Sequence, residues 1–139
     1  MSETYNLSRF TSAQNPVFEQ VCSELRAGRK MGHWMWFIFP QIKGLGESQM
    51  SQAFAISCRE EAAAYLNHEI LGPRLIECTK IVNGLDGLDA REIFGYIDAM
   101  KFRSSMTLFT QVATGEQPFS AALQKYFGGA PDPLTLERL

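Results

Sequence analysis

The sequence GRKMGHWMWFIFPQ, residues 28–41, holds both tryptophans of the chain, Trp34 and Trp36. The sequence GLGES follows shortly after it, at residues 44–48. Large aromatic side chains are mostly buried in folded proteins, so this much aromatic mass in so few residues predicts the centre of the core. Polar residues stand at the margins of the run and predict the rim of a binding pocket: Lys30, His33, Gln41 and Ser48.

Residues 33–39 fit either a buried strand or a short buried helix that ends before Pro40. No other segment has convincing strand character. A lone strand would leave its backbone N–H and C=O groups unpaired, so helix is the favoured interpretation.

Length and composition set the broad class of protein. The chain has 139 residues, the size of one domain spanning residues 1–139, and 45% hydrophobic residues, enough for a substantial core. A net charge of -2 argues against a nucleic-acid-binding surface. The three cysteines are widely spaced and form no CxxC pattern, which predicts free thiols in the reducing cytoplasm and no zinc site.

The sequence also bears on location. The N-terminus has no secretory signal, and no apolar run approaches the ~20 residues that a membrane helix needs. We therefore expect a cytoplasmic protein with no membrane association, no metal and no resident cofactor.

Helical periodicity and capping residues recur along the whole chain. The pattern predicts an all-α, compact single-domain bundle of about seven or eight short helices. Signals for helix starts stand at Asn15-Pro16, Ser48, Ser57, Gly72-Pro73, Asp89, Asp98, Pro118 and Asp132-Pro133.

Several long motifs resemble one bacterial family. They include GRK at residues 28–30, HWMWFIFPQ at residues 33–41, GLG-x-S at residues 44–48 and D-x-x-K-x-RSSMTLF at residues 98–109. The family is catalogued as domain of unknown function 1810, and the resemblance covers nearly the whole chain. It implies a compact, mainly helical fold and brings no established activity.

Lys30 and His33, next to Trp34 and Trp36, form the first candidate site. A cation and an imidazole beside exposed aromatic rings suit a flat, anionic ligand such as a nucleotide. Alternatively, the tryptophans are core residues, and Lys30 and His33 only satisfy backbone carbonyls.

The loop from Gln41 to Ser48 is the second candidate. Its glycines, Gly44 and Gly46, precede a predicted helix start and would let backbone N–H groups approach a phosphate. A plain tight turn with a Ser48 cap is the alternative.

Asp98, Lys101 and Ser105 share one face of a predicted helix. If that face points inward, Asp98 is a candidate general base, Lys101 an anion anchor and His33 an acid or orienting group. If it points outward, Asp98 is a helix cap that forms an ordinary ion pair with Lys101, worth ~0.3 kcal/mol.

Two arginines complete the predicted ligand-binding set. Arg74 lies in a first helical turn, where the helix dipole disfavours a cation, so we expect a specific carboxylate or ligand partner. Arg103 lies on the same predicted helix as Asp98 and is assigned to the same pocket.

Two hypotheses for the function follow. In the first, the protein binds a phosphorylated or nucleotide-like small molecule, and hydrolysis of that molecule is the preferred reaction if the protein is an enzyme. In the second, it is a non-catalytic interaction or structural module whose aromatic motif is core. Convergence of Lys30, His33, Asp98 and Lys101 in a concave pocket would favour the first.

Overall fold

A computed structural model describes residues 5–139, and ten helices lie within that range. They are α1 (Ser8–Gln14), α2 (Phe18–Arg26), α3 (Met35–Ile38), α4 (Gln49–Ala53), α5 (Arg59–Asn67), α6 (Leu71–Asn83), α7 (Ala90–Phe94), α8 (Tyr96–Val112), α9 (Pro118–Phe127) and α10 (Pro133–Glu137). The all-α prediction is confirmed. The prediction was about seven or eight short helices; the structure has ten in this range, of which six have seven or more residues.

The helix α8 is the centre of the bundle. It packs against α3, α5, α7, α9 and α10, while α6 packs on α2, α5 and α9. The α8 side chains Phe102, Met106 and Phe109 are fully buried. Their spacing of three to four residues places them on one face, as expected for an amphipathic helix that supplies the core.

The aromatic run forms a loop and one helical turn, which confirms the helical interpretation of residues 33–39. Phe39 is fully buried and packs edge-on against Phe102, with ring centroids 5.0 Å apart, and against Phe94 at 5.9 Å. Edge-to-face pairs of this kind are favoured by the ring quadrupoles. Across residues 5–139 no strand forms, and a single isolated bridge joins Ile42 to Ile56.

Several predicted caps are present. Ser48 Oγ accepts a hydrogen bond from Ser51 N–H at the start of α4. Asp89 forms a reciprocal capping box with Glu92, and Asp132 accepts from Thr135 N–H at the start of α10. Each satisfies an N–H group that the first helical turn leaves unpaired.

Other predicted helix starts were wrong by a few residues. The helix α2 begins at Phe18, because the chain makes a further turn after α1 in which Val17 N–H donates to Gln14 O. Cys58, not Ser57, precedes α5, and Ser57 donates instead to the buried carboxylate of Glu61.

Asp98 is not a cap either. The helix α8 begins at Tyr96, immediately after Gly95, whose φ of +84° allows the sharp change of direction between α7 and α8. Because glycine adopts this backbone conformation without strain, α7 and α8 can join at one residue.

Candidate functional site

The segment that leads into the aromatic run is fixed by one buried carboxylate. Glu24 Oε1, on α2, accepts hydrogen bonds from Met31 N–H at 2.7 Å, Gly32 N–H at 2.9 Å and Trp34 Nε1–H at 2.9 Å. Gln20 Nε2 donates to the other oxygen at 2.8 Å. Trp34 is therefore held in the core, at 2% exposure.

These hydrogen bonds set the protonation state of Glu24. Burial alone would raise its pKa, but the donors from Gly32, Gln20, Met31 and Trp34 more than offset that effect and lower the pKa to about 2. Glu24 is thus ionised at neutral pH, and its charge is satisfied by neutral N–H groups.

Two lysines share the carboxylate of Asp98. Lys30 Nζ lies 2.8 Å from Asp98 Oδ2, and Lys101 Nζ lies 3.4 Å from Asp98 Oδ1. The Lys30 side chain is only 8% exposed, and its Nζ also donates to Gly32 O and lies over the Trp34 ring. Two positive charges and one negative charge leave the trio with a formal charge of +1.

Lys30 and Asp98 of this trio line a cleft of about 430 Å³, which we call the aromatic cleft. Its volume falls within the range of small-molecule pockets. It is lined by Lys30, His33, Met35, Trp36, Phe94, Gly95, Tyr96, Ile97 and Asp98. Lys30, His33, Trp36 and Asp98 were all predicted as site residues, so the fold brings these four together.

The first turn of α8 forms one wall of the aromatic cleft. Gly95 has no side chain with which to cap this helix, and no side-chain cap is present. The first N–H groups of a helix have no intrahelical partner and carry partial positive charge. This wall therefore combines backbone donors with Tyr96, whose side chain is largely exposed.

Trp36 is placed differently from Trp34. Lys101 Nζ lies 4.5 Å from the centroid of the Trp36 ring, a cation–π contact that covers one face of the indole. The Trp36 Nε1–H is buried and has no hydrogen-bond partner among residues 5–139. Buried donors are nearly always paired, so this unpaired N–H group is an exception.

A second, smaller cleft of about 250 Å³ lies beside the first, and we call it the side cleft. It is lined by Gln41, Leu45, Gly46, Ser51, Ile97, Met100, Lys101, Ser104, Asp132 and Leu134. Ile97 lines both clefts. Two more of the predicted site residues, Gln41 and Lys101, line the side cleft.

The remaining predicted residues have partners within the protein. Ser48 caps α4, and Trp34 is buried behind Lys30. Arg74 donates to Gln14 Oε1 at 3.3 Å and packs over the Phe18 ring. Its partner is therefore an amide and not the carboxylate that we expected, and Arg74 lines neither cleft.

Arg103 lines neither cleft. It donates to the backbone carbonyls of Ala130 and Pro131 and packs near Phe127. These contacts hold the segment that leads to α10. Ser105 is buried in the core, so the predicted polar face of Asp98, Lys101 and Ser105 is only partly open to the clefts.

Sequence reasoning missed Glu24, Tyr96 and Asp132 as determinants of the site. Tyr96 follows a glycine at a helix start, which was a usable signal for an exposed aromatic at a cleft wall. Glu24 offered no signal, because its partners are backbone N–H groups seven and eight residues away, brought near by a loop.

Membrane-spanning helices and clusters of metal-binding side chains were both considered in the described residues. No helix in the described range 5–139 is long and apolar enough to cross a membrane. Over the same range, no group of three or more His, Cys, Asp or Glu side chains is arranged to hold a metal ion.

The fold and the clefts define a small all-helical protein with an aromatic, lysine-flanked cleft. The chain belongs to the family described as Protein of unknown function (DUF1810), which it matches over residues 4–139. This confirms the resemblance seen in the sequence motifs.

A solved structure is similar over nearly the full length. It is the crystal structure of the conserved hypothetical protein Rv1873 from Mycobacterium tuberculosis, with 52% sequence identity and a TM-score of 0.97. The match covers 99% of this chain and 98% of that chain. No curated protein matches the chain.

Proposed function

We propose that this protein binds a small molecule that joins a planar ring to an anionic group, such as a phosphorylated or nucleotide-like metabolite. The observation that carries the proposal is the convergence of Lys30, His33, Trp36 and the uncapped start of α8 on one cleft. A merely structural aromatic motif would not require this convergence of polar groups.

The anionic group of the ligand would lie at the start of α8. The first N–H groups of α8 have no intrahelical partner, and helix N-termini commonly bind phosphate or carboxylate. His33 is exposed, lines the same cleft and can donate a hydrogen bond. The net positive charge of Lys30, Lys101 and Asp98 favours an anion over a cation.

The planar part of the ligand would contact Trp36 and Tyr96. Stacking on aromatic side chains is a general means of binding flat rings. Met35 and Ile97 complete an apolar lining suited to a ring.

The geometry supports binding more strongly than hydrolysis. Both carboxylate oxygens of Asp98 are engaged by ammonium groups. Because both oxygens contact ammonium groups, neither is free to reach a substrate proton as a general base must. We therefore assign Asp98 to positioning Lys30 and Lys101.

The interaction-module hypothesis is the second candidate, and one observation favours it. Met31, Tyr96 and Ile97 are 67%, 68% and 70% exposed, and two of them line the aromatic cleft. Exposed apolar side chains in one area are typical of surfaces that contact a partner protein. A cytoplasmic location is part of either proposal, supported by the free thiols of Cys22, Cys58 and Cys78.

Thermal unfolding with a panel of nucleoside monophosphates, sugar phosphates and nicotinamide dinucleotides tests the proposal. A compound present at about 100 times its dissociation constant adds ~2.7 kcal/mol of stability and raises Tm by several degrees. We expect such a shift with AMP or a related nucleotide.

His33→Ala and Tyr96→Ala are the informative variants. Both side chains are exposed, so we expect an unchanged Tm without ligand and loss of the ligand-induced shift. Gln111→Ala, an exposed position at the far end of α8, is the control and should keep the shift. No shift with any compound would contradict small-molecule binding and favour the interaction module.

A further inference from the structure

We propose that the side cleft is a subsite for a sugar diol, so that the ligand is a nucleoside phosphate whose ribose hydroxyls bind Gln41 and Asp132. This inference rests on the proposed function, because the same ligand would occupy the aromatic cleft. It adds the sugar as the part of the molecule that the protein recognises by hydrogen bonds.

Gln41 supplies an amide that the fold itself does not use. Its side chain has no hydrogen bond to any residue in the described part of the chain, although it is half-buried in the cleft lining. Its backbone is fixed, because Gln41 O accepts from Ile56 N–H at 2.8 Å. An amide held in this way offers two donors and one acceptor to a hydroxyl group.

Asp132 supplies a carboxylate oxygen. This residue is only 7% exposed, and its Oδ2 accepts from Ser104 Oγ, Thr135 N–H and Thr135 Oγ1. No hydrogen bond from a described residue reaches Oδ1. Because Asp132 lines the side cleft, this oxygen is an available acceptor in a fixed position.

The combination of a carboxylate and an amide fits vicinal hydroxyls. Each hydroxyl can donate to a carboxylate oxygen while it accepts from an N–H group, and a charged acceptor makes such bonds stronger than neutral pairs. The cleft wall at Ile97, Met100 and Leu134 is apolar and suits the C–H face of a sugar ring.

The size and position of the side cleft indicate part of a ligand and not a whole one. Its volume of about 250 Å³ lies below the roughly 300–1,000 Å³ of complete small-molecule pockets. It adjoins the aromatic cleft at Ile97, and the Asp98–Lys101 ion pair connects the two linings. A nucleoside phosphate would extend across this boundary.

Calorimetric titration with AMP and with 2′,3′-dideoxy-AMP tests the subsite, since the two differ only in the sugar hydroxyls. We expect AMP to bind at least about tenfold more tightly, as hydrogen bonds to a charged acceptor and to an amide imply. In Gln41→Ala the ratio of the two affinities should fall toward one, while Gln111→Ala keeps the wild-type ratio.

Thermal unfolding without ligand serves as the folding control. Gln41→Ala should retain the wild-type Tm because its amide makes no hydrogen bond within the described chain. Equal binding of AMP and the dideoxy compound to the wild type would overturn the sugar subsite and leave the proposed function standing. Absence of binding by both compounds and by every other compound of the panel would overturn both.

Discussion

Trp34 and Trp36 are two residues apart in one motif, yet they differ in burial and in hydrogen bonding. Trp34 is 2% exposed and its indole N–H is bonded to Glu24, while Trp36 is half-buried at a cleft and its indole N–H is unpaired among the described residues. Each has one lysine over its ring, Lys30 for Trp34 and Lys101 for Trp36. One side of the motif stabilises the fold and the other leaves groups available to a ligand.

Removal of each indole gives the largest expected difference. Trp34→Ala should lower the free energy of unfolding by about 3–5 kcal/mol, the usual cost of deleting a buried aromatic, and it also removes one of the four donors to Glu24. Trp36→Ala should cost about 1–2 kcal/mol, because less area and one cation–π contact are lost. Urea denaturation measures both, and equal losses would contradict the distinction.

Glu24 gives the next effect, which appears in acid. Because its pKa is lowered to about 2, the ionised Glu24 contributes fully to the free energy of unfolding above the ordinary pKa of 4.5, and this contribution is lost as pH falls through 2. The difference between the two pKa values corresponds to ~3 kcal/mol of stability.

The check is urea denaturation of the wild type and of Glu24→Gln from pH 7 to pH 2. The variant should be less stable at pH 7 by about 1–3 kcal/mol, because Gln20 would then face an amide that also donates. The difference in stability between the two proteins should shrink toward pH 2. A constant difference would show that Glu24 is not the group that titrates.

Substitutions at the ion pairs of Asp98 have the smallest expected effects on stability, and they distinguish the roles of Lys30 and Lys101. Asp98→Asn leaves the nearly buried charge of Lys30 without its carboxylate and should lower the free energy of unfolding by about 2 kcal/mol. This loss is smaller than that for breaking a fully buried ion pair, because Asp98 is partly exposed. Lys101→Met should cost at most about 1 kcal/mol, as for an exposed pair.

Salt sharpens this comparison. Unfolding in 1 M NaCl should leave most of the Asp98→Asn loss in place, since Lys30 is nearly buried, and should reduce the Lys101→Met loss. A large salt-dependent loss in Asp98→Asn would indicate that Lys30 is solvated in solution.

Local signals in the sequence predicted the elements whose causes are local. Ser48, Asp89 and Asp132 cap helices because each side chain reaches an N–H group three residues on. The start of α8 could not be placed in this way. Gly95, which has no capping side chain, directly precedes the first residue of that helix. The sequence pattern wrongly indicated Asp98 as its cap.

The candidate site was predictable in part. Lys30, His33 and Trp36 are close in sequence, so their joint appearance at one cleft needed only a turn between them. Arg74 and Arg103 could not be separated from the site by sequence, because their partners, Gln14 and the carbonyl of Ala130, are 60 and 27 residues away. Long-range contacts of that kind depend on how the helices pack.

The two indoles also give the protein two separate optical signals. An indole shielded from water emits at shorter wavelength than one beside solvent, so the buried Trp34 and the half-buried Trp36 contribute different parts of the native fluorescence spectrum. Loss of the core would change the short-wavelength part first. An event confined to the aromatic cleft would change the long-wavelength part alone, so the unlabelled protein reports on its two halves independently.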